Sequence, residues 1–294
     1  MSARLAVVIS TRNRVALLPG LLESIEVARA QLAETADIVV IDNGSTDETE
    51  AWLARWSAAA PGRTHLLIAG TGKSGALNTY LRQSAAELLV FTDDDVLVDA
   101  AWLAAIERFC RDWPQFDAGA GPIRVPRQVT DQALLDRIRL YPTLPYWESD
   151  PGVHDVTQLL GANMVLRRRV FEKVGFFDER LGVGAIGSGE ETELCDRMIA
   201  AGLRVAYMPE AVVYHLVDES RLNLEALCTH ERRVARSKFL IRAGGDSTLR
   251  LLLHLVETSL VAALAVVRRD HRRAVKNRGK MAFYAEMLRL KRGA

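Results

Sequence analysis

Cysteine is scarce in this chain. There are three in 294 residues, Cys110, Cys195 and Cys228, and they lie far apart. Such spacing excludes a clustered thiolate metal site. An odd, dispersed set also argues against a disulfide framework and for a reducing, cytoplasmic setting. A charge excess of one sign is missing too: 38 Lys and Arg face 37 Asp and Glu, a net of +1. Nucleic acid is therefore not an expected partner. No internal repeat or low-complexity tract is present, so a solenoid is excluded. Met1 to Arg4 run directly into an apolar segment, so no secretory signal is expected. The length suits one large domain, or one domain with an appendage.

What is present is a regular alternation. Leu5–Ile9, Ile38–Ile41, His65–Ile68 and Leu88–Thr92 are short apolar runs rich in β-branched residues, and each reads as a buried strand. Between them, Leu17, Leu18, Leu21, Leu22 and Ile25 keep helical spacing. The segments carrying Trp52–Trp56, Ala76–Ala86 and Trp102–Phe109 read as further helices. This order predicts βαβ units and a mainly parallel sheet, whose ligands bind beyond the carboxyl ends of the strands. Arg12, Asp42, Gly72 and Asp93 all fall at such ends. Further on, Tyr141–Asp155 reads as an ordered proline-rich loop, and Phe176–Gly189, with glycines at 182, 184, 187 and 189, as a mobile lid. A helix follows over Glu190–Ala201, closed by Gly202, and then strands over Val205–Met208 and Val212–His215.

Asp93-Asp94-Asp95 closes the fourth strand. Adjacent carboxylates at the edge of a core repel one another unless a cation relieves them. Hard divalent ions take oxygen ligands and share them with phosphates, so the triplet is a place to hold a nucleotide diphosphate through a metal. Acidic residues also simply cap strands and begin turns. Gly72-Lys73-Ser74 is not a P-loop, because that pattern needs glycine where this chain has Leu67. In the loop, Tyr146 and Trp147 could stack on a sugar or anchor local packing.

Several segments together resemble the family 2 glycosyltransferases. Val7-Val8-Ile9-Ser10-Thr11-Arg12-Asn13-Arg14 is similar to the family's first-strand signature, Ile41 to Asp47 to its second, and Phe91 to Asp95 to its DxD element. Gly161 to Met164 and Val174 to Glu179 are similar to acceptor-side segments. Gly189 to Leu194 resembles its Gly-Glu-Asp signature, and Pro209 to His215 its closing strand. The resemblance spans residues 4–216. It implies the α/β GT-A nucleotide-diphospho-sugar transferase fold, a mainly parallel sheet flanked by helices. Residues 1–220 would form that domain, with a nucleotide-sugar half at 1–100 and an acceptor half at 101–220. A helical C-terminal extension would occupy 221–294.

The resemblance also implies roles. Thr11, Arg12, Asn13, Asp42, Lys73, Asn78, Asp93 and Asp94 would contact the nucleotide-sugar, with Asp42 on the base. Asp95, Asp93 and His215 would hold Mn²⁺ or Mg²⁺. Glu191 would take the proton from an acceptor hydroxyl during inverting transfer. The family usually has aspartate there, so Glu190 is a second candidate, and first-turn acidity favoured by the helix dipole is a third reading. Gly72 to Asn78 is similar to an element of cellulose-synthase-like members. The chain lacks their Gln-x-x-Arg-Trp motif and multiple spans, which favours transfer of one sugar over polymerisation. The acceptor would be a lipid-linked glycan or a small-molecule hydroxyl. Rival readings are a nucleotidyltransferase of the same fold class and an inactive nucleotide-sugar-binding scaffold.

The tail lies outside the resemblance. Leu249–Val267 is apolar except for a stripe at Arg250, His254, Glu257 and Thr258, so an amphipathic helix is expected. Basic residues from Arg268 to Lys280 follow. A peripheral contact with the inner membrane surface through 249–280 is one expectation. A helical hairpin packed on the body, or a contact with a partner subunit, is the other.

Overall fold

The computed structural model describes residues 4–70, 72–185, 188–241 and 246–293; Thr71 and Gly187, within the two glycine-rich segments, lie outside them. The chain forms two compact units. One comprises Met1–Pro126, Pro145–Ala185 and Glu190–Leu216, the other Arg127–Leu144, Ile186–Gly189 and Val217–Ala294.

The first unit opens with β1 (Leu5–Thr11), α1 (Leu18–Arg29), β2 (Ala36–Asp42), α2 (Thr49–Ala58), β3 (Arg63–Leu67), α3 (Gly72–Gln83) and β4 (Leu88–Thr92). A short β5 (Val96–Val98), α4 (Trp102–Asp112), β6 (Ala118–Ala120) and β7 (Ile123–Arg124) follow. The second unit takes α5 (Gln132–Leu140). The first resumes with β8 (Met164–Arg167), α6 (Arg168–Val174), α7 (Glu190–Ala200), β9 (Val205–Tyr207) and β10 (Val213–His215). The chain ends in α8 (Leu224–Ile241), α9 (Thr248–Val267) and α10 (His271–Arg292).

Seven strands form the larger sheet, in the order β3-β2-β1-β4-β8-β6-β9. All are parallel except β8, which runs against both neighbours. The parallel strands are continuous apolar runs because both faces are covered. Along β1, Val7 and Ile9 join an apolar layer with Leu18, Leu22 and Ile25 of α1, while Ala6 and Val8 join a second with Ala76 and Leu81 of α3. A smaller sheet, β5-β10-β7, lies beside it in sequence terms at one decisive point: the turn from β4 to β5 is Asp93-Asp94-Asp95.

Asn163, fully buried just before β8, links the two sheets. Its Nδ2 donates to the carbonyls of Pro122 (3.0 Å) and Ala211 (2.7 Å), and its Oδ1 accepts from Trp102 Nε1 at 3.0 Å. The acceptor-side residue of the sequence analysis is therefore a structural clamp.

The second unit packs Ala235, Leu251, Met287 and Leu288 into its own small core. Arg236 and Arg289 both reach Glu286 at 2.7 Å, and their hydrogen bonds, that of Arg289 first, hold its carboxyl down at about 2. The boundary expected at residue 220 is replaced by one at Leu216, and residues 127–144 join the helical unit because α5 packs on α10. Most expected strands appear within two residues of their positions. Four further short strands, β5 to β8, and helices α5 and α6 were not anticipated.

Replacing Asn163 with alanine would strand a buried indole N–H and two buried carbonyls. Chemical denaturation should show a loss of about 2–4 kcal/mol in unfolding free energy. A loss below about 0.5 kcal/mol would show that the clamp does not matter.

Candidate active site

The order of the large sheet reverses between β1 and β4, the place where open α/β sheets bind ligands. Three consecutive carboxylates emerge there, and each turns to a different element. Asp93 Oδ1 lies 2.8 Å from Lys73 Nζ in the first turn of α3. Asp94 Oδ2 accepts a 2.7 Å hydrogen bond from Thr11 Oγ1 at the end of β1, and its Oδ1 is 3.7 Å from Arg14 Nε. Asp95 Oδ1 lies 3.1 Å from His215 Nε2 at the end of β10.

The electrostatics follow from these pairings. Burial pushes the Asp94 carboxyl up to about 6; Thr11 and Arg14 pull it down, and the charges of Asp95 and Asp93 push it up again. Burial alone would lower the His215 pKa, but the hydrogen bond and charge of Asp95 outweigh it, so the imidazole holds its proton above the usual range. His215 Nδ1 is 2.8 Å from the Leu216 carbonyl. A carbonyl only accepts, so Nδ1 carries hydrogen and Nε2 is the atom presented to Asp95.

Lys73 also reaches the far side of the crevice, with Nζ 3.4 Å from Glu190 Oε1. Glu190 is buried and Glu191 half-buried at the first turn of α7. Burial first, and the neighbouring Glu190 charge second, push the Glu191 carboxyl up to about 8 against the pull of Lys73. Burial would lower the Lys73 pKa, but Asp93 and the two glutamates raise it well above normal, so it remains a cation. Lys73, Thr92, Gly161, Phe177, Glu190 and Glu191 line one small cleft.

The glycine-rich segment expected as a lid is tied down in its described part. Lys73 N donates to Val183 O (2.9 Å) and Ser74 Oγ to Leu181 O (2.8 Å). Gly182 has φ +91°, and a Cβ there would stand 2.9 Å from Ser74 Oγ and 3.3 Å from the Glu190 carboxyl carbon. Only glycine lets the segment lie so close.

The profile of "Glycosyl transferase family 2" matches residues 6–175, more than half of the chain. The chain belongs to glycosyl transferase family 2. It is 30% identical over 182 residues to the succinoglycan biosynthesis protein ExoM of Rhizobium meliloti, covering 59% of this chain and 57% of that one. It is 26% identical over 215 residues to an N-acetylglucosaminyl-diphospho-decaprenol L-rhamnosyltransferase of Mycobacterium tuberculosis, covering 60% and 66%. The chain thus spans less than two thirds of the length of these relatives. Its fold matches that of the Pyrobaculum calidifontis mannosyltransferase PcManGT, solved with GDP-Man and Mn²⁺, with TM-score 0.65 and 19% identity over 99% of this chain and 87% of that one. The fold is the expected GT-A transferase fold. Glu190, Glu191 and His215 lie beyond the matched family span.

Within this family member the expected site residues divide. Thr11, Lys73, Asp93, Asp94, Asp95, His215, Glu190 and Glu191 are linked in the pairings above. Asn13, with φ +55°, binds the loop after β2: its backbone N–H donates to Ser45 Oγ (2.9 Å) and its Oδ1 accepts from Thr46 N at 2.7 Å. Arg12 is exposed at the same edge. Asp42 is fully buried; Oδ1 accepts from Ser45 N and Oγ, and Oδ2 has no hydrogen-bond partner among the described residues. That orphaned acceptor suits a ligand N–H. Asn78, expected at the nucleotide-sugar, is hydrogen-bonded within the protein: its Nδ2 donates to Phe177 O (2.9 Å) and Glu179 Oε1, and its Oδ1 accepts from Phe177 N, so the amide holds the 177–179 segment.

The residues fit a divalent cation in part. Among the described residues no three Asp, Glu, His or Cys side chains surround one point, because Asp93 is turned to Lys73. Asp95 and His215 do form an oxygen–nitrogen pair, with the ring fixed through Nδ1 as metal-binding imidazoles usually are. An ion that takes most of its ligands from a diphosphate and water needs no more.

Sequence reasoning missed Arg14 beside Asp94, Ser74 bound to the Leu181 carbonyl, and Gly161, where a Cβ would stand 3.4 Å from Lys73 Nζ. Only proximity in the fold reveals them. Tyr146 and Trp147 serve as anchors: Tyr146 Oη donates to His215 O at 3.2 Å, and Trp147 pairs through its backbone with Ile123 while its ring meets Tyr207. Replacing Thr11 with valine removes the hydrogen bond that favours ionised Asp94. Carboxyl NMR titration should place Asp94 above its value of about 6; an unchanged or lower value would contradict the pairing.

Proposed function

We propose that the chain transfers one sugar from a nucleoside-diphosphate sugar to an acceptor hydroxyl, with inversion at the anomeric carbon. The observation that carries this reading is the bridging ammonium of Lys73, 2.8 Å from Asp93 and 3.4 Å from Glu190. One cation thereby joins the donor-side carboxylates to the helix that carries the candidate base. Asp42 Oδ2, with no hydrogen-bond partner among the described residues, would accept from the nucleobase. Asp95 and His215 would hold Mn²⁺ or Mg²⁺, the imidazole favouring Mn²⁺. A divalent ion bound there would neutralise charge on the diphosphate.

The protein's own residues carry the rest. Glu191 takes the proton from the acceptor hydroxyl as that oxygen bonds to the anomeric carbon and the bond to the diphosphate oxygen breaks. Lys73 stands ready to balance charge on the departing diphosphate. The glycine-rich segment held on Ser74 and Lys73 helps keep water from the cleft. The relative named for N-acetylglucosaminyl-diphospho-decaprenol supports a lipid-linked glycan as acceptor. The two bound forms named in the PcManGT structure, GDP-Man and Mn²⁺, support the donor and metal classes without fixing either here.

Nucleoside diphosphate release from UDP-, GDP- and dTDP-sugars, with a lipid extract as acceptor, tests the reading. Glu191→Gln should lower kcat by about 10²–10⁴-fold and leave donor affinity intact. Turnover equal to wild type would remove Glu191 as the base. A base must be ionised, so the rate should climb as pH approaches the raised value of about 8. Glu190→Gln removes the like charge that helps raise Glu191, so the acidic limb should move to lower pH. A limb that stays in place would separate Glu190 from the base.

A further inference from the structure

Helix α9 carries two apolar stripes where a helix packed on one side needs only one. Leu251, Thr258, Ala262 and Ala265, at spacings of seven, four and three, are buried within the helical unit. Thr258, expected in the polar stripe, is buried instead: its hydroxyl donates to the His254 carbonyl at 2.7 Å, which lets the side chain turn inward. The other stripe is uncovered. Leu249, Leu253, Val256, Leu260, Leu264 and Val267 recur every three or four residues, and all are between 54% and 81% exposed. They make a continuous apolar face along a helix about 30 Å long, and a face of that size on a protein surface marks an interaction site.

Its charged surroundings indicate what covers it. From Thr248 to Lys280 there are eight Lys and Arg residues against two acids, Glu257 and Asp270. Arg250, Arg268, Arg269, Arg272, Arg273 and Lys276 are all exposed. At the end of the stripe, Val261 and Leu264 share a groove with Arg268, Arg273 and Asp270, so apolar groups meet a net cationic cluster in one place. We infer that this face docks in the interfacial layer of a bilayer bearing anionic lipid, with the apolar stripe among acyl chains and the arginines on headgroup phosphates. A second copy of the chain would bring the same positive charge to the contact and be repelled. By length and composition α9 could also cross a membrane. Its packed inner stripe and the lateral Arg250, His254 and Glu257 instead suit a helix lying in the surface plane.

The full chain is tested by co-sedimentation with vesicles of phosphatidylcholine alone and of phosphatidylcholine with about one third phosphatidylglycerol, without sugar donor or acceptor. Binding to the anionic vesicles should be at least about tenfold stronger and should weaken with salt. Leu253→Glu with Leu260→Glu should reduce it about tenfold or more while circular dichroism and Tm stay unchanged, since both side chains are already in solvent. A second variant, Arg268→Gln with Arg272→Gln, should lower the anionic preference and keep residual apolar binding. Absent vesicle binding, or equal binding to both compositions, overturns the inference. So does a dimer in light scattering that the leucine variant breaks while vesicle binding is absent. None of these readouts depends on transferase activity, so failure here and failure of the transferase reading are separate results.

Discussion

Three like charges on successive residues are the constraint around which the first unit is arranged. At an effective dielectric near 20, unit charges several ångströms apart interact by a few kcal/mol, so Asp93, Asp94 and Asp95 cannot share one half-buried turn without relief. The fold supplies a separate answer to each: Lys73 from α3, Thr11 and Arg14 from the end of β1, and His215 from β10. Three segments distant in sequence must therefore meet where β4 ends. The parallel order of β1 and β4, the crossing of β10 onto β5 and the clamp at Asn163 all serve that meeting.

Lys73 is shared between Asp93 and Glu190, so anything that changes the charge near Asp93 is felt at Glu190 and, through it, at Glu191. Asp42 keeps one buried acceptor with no hydrogen-bond partner among the described residues, a cost in free energy that a donor N–H would relieve. The local groups are held by short hydrogen bonds to rigid elements, as preorganised sites require.

Much of this was legible in the sequence, for physical reasons. The strands β1, β2 and β4 are covered on both faces and read as unbroken apolar runs. The Asp triplet stands where a strand ends and Glu190 and Glu191 where a helix begins, positions that periodicity locates well. What could not be read has equally definite causes. β6 is Ala118-Gly119-Ala120, with no strand signal in its composition; Gly119 is required because a Cβ there would collide with Met208 and Phe109. Asn78 carries a polar side chain at a motif position, yet its amide is consumed by Phe177, a partner 99 residues away. Residues 127–144 fall inside the acceptor-side half by sequence and join the helical unit by packing. The two stripes of α9 are indistinguishable in a list of apolar residues, and only exposure separates the packed one from the bare one.

We propose that the carboxylate turn and His215 together form a metal-dependent donor site. Isothermal titration of wild type and of Asp95→Asn and His215→Ala with UDP-, GDP- and dTDP-sugars, with and without Mn²⁺, tests it most directly. Wild type should bind one nucleotide class, more strongly with Mn²⁺, and both variants should lose that Mn²⁺ dependence. Binding that ignores Mn²⁺ in wild type, or an unchanged Mn²⁺ effect in the variants, would contradict it.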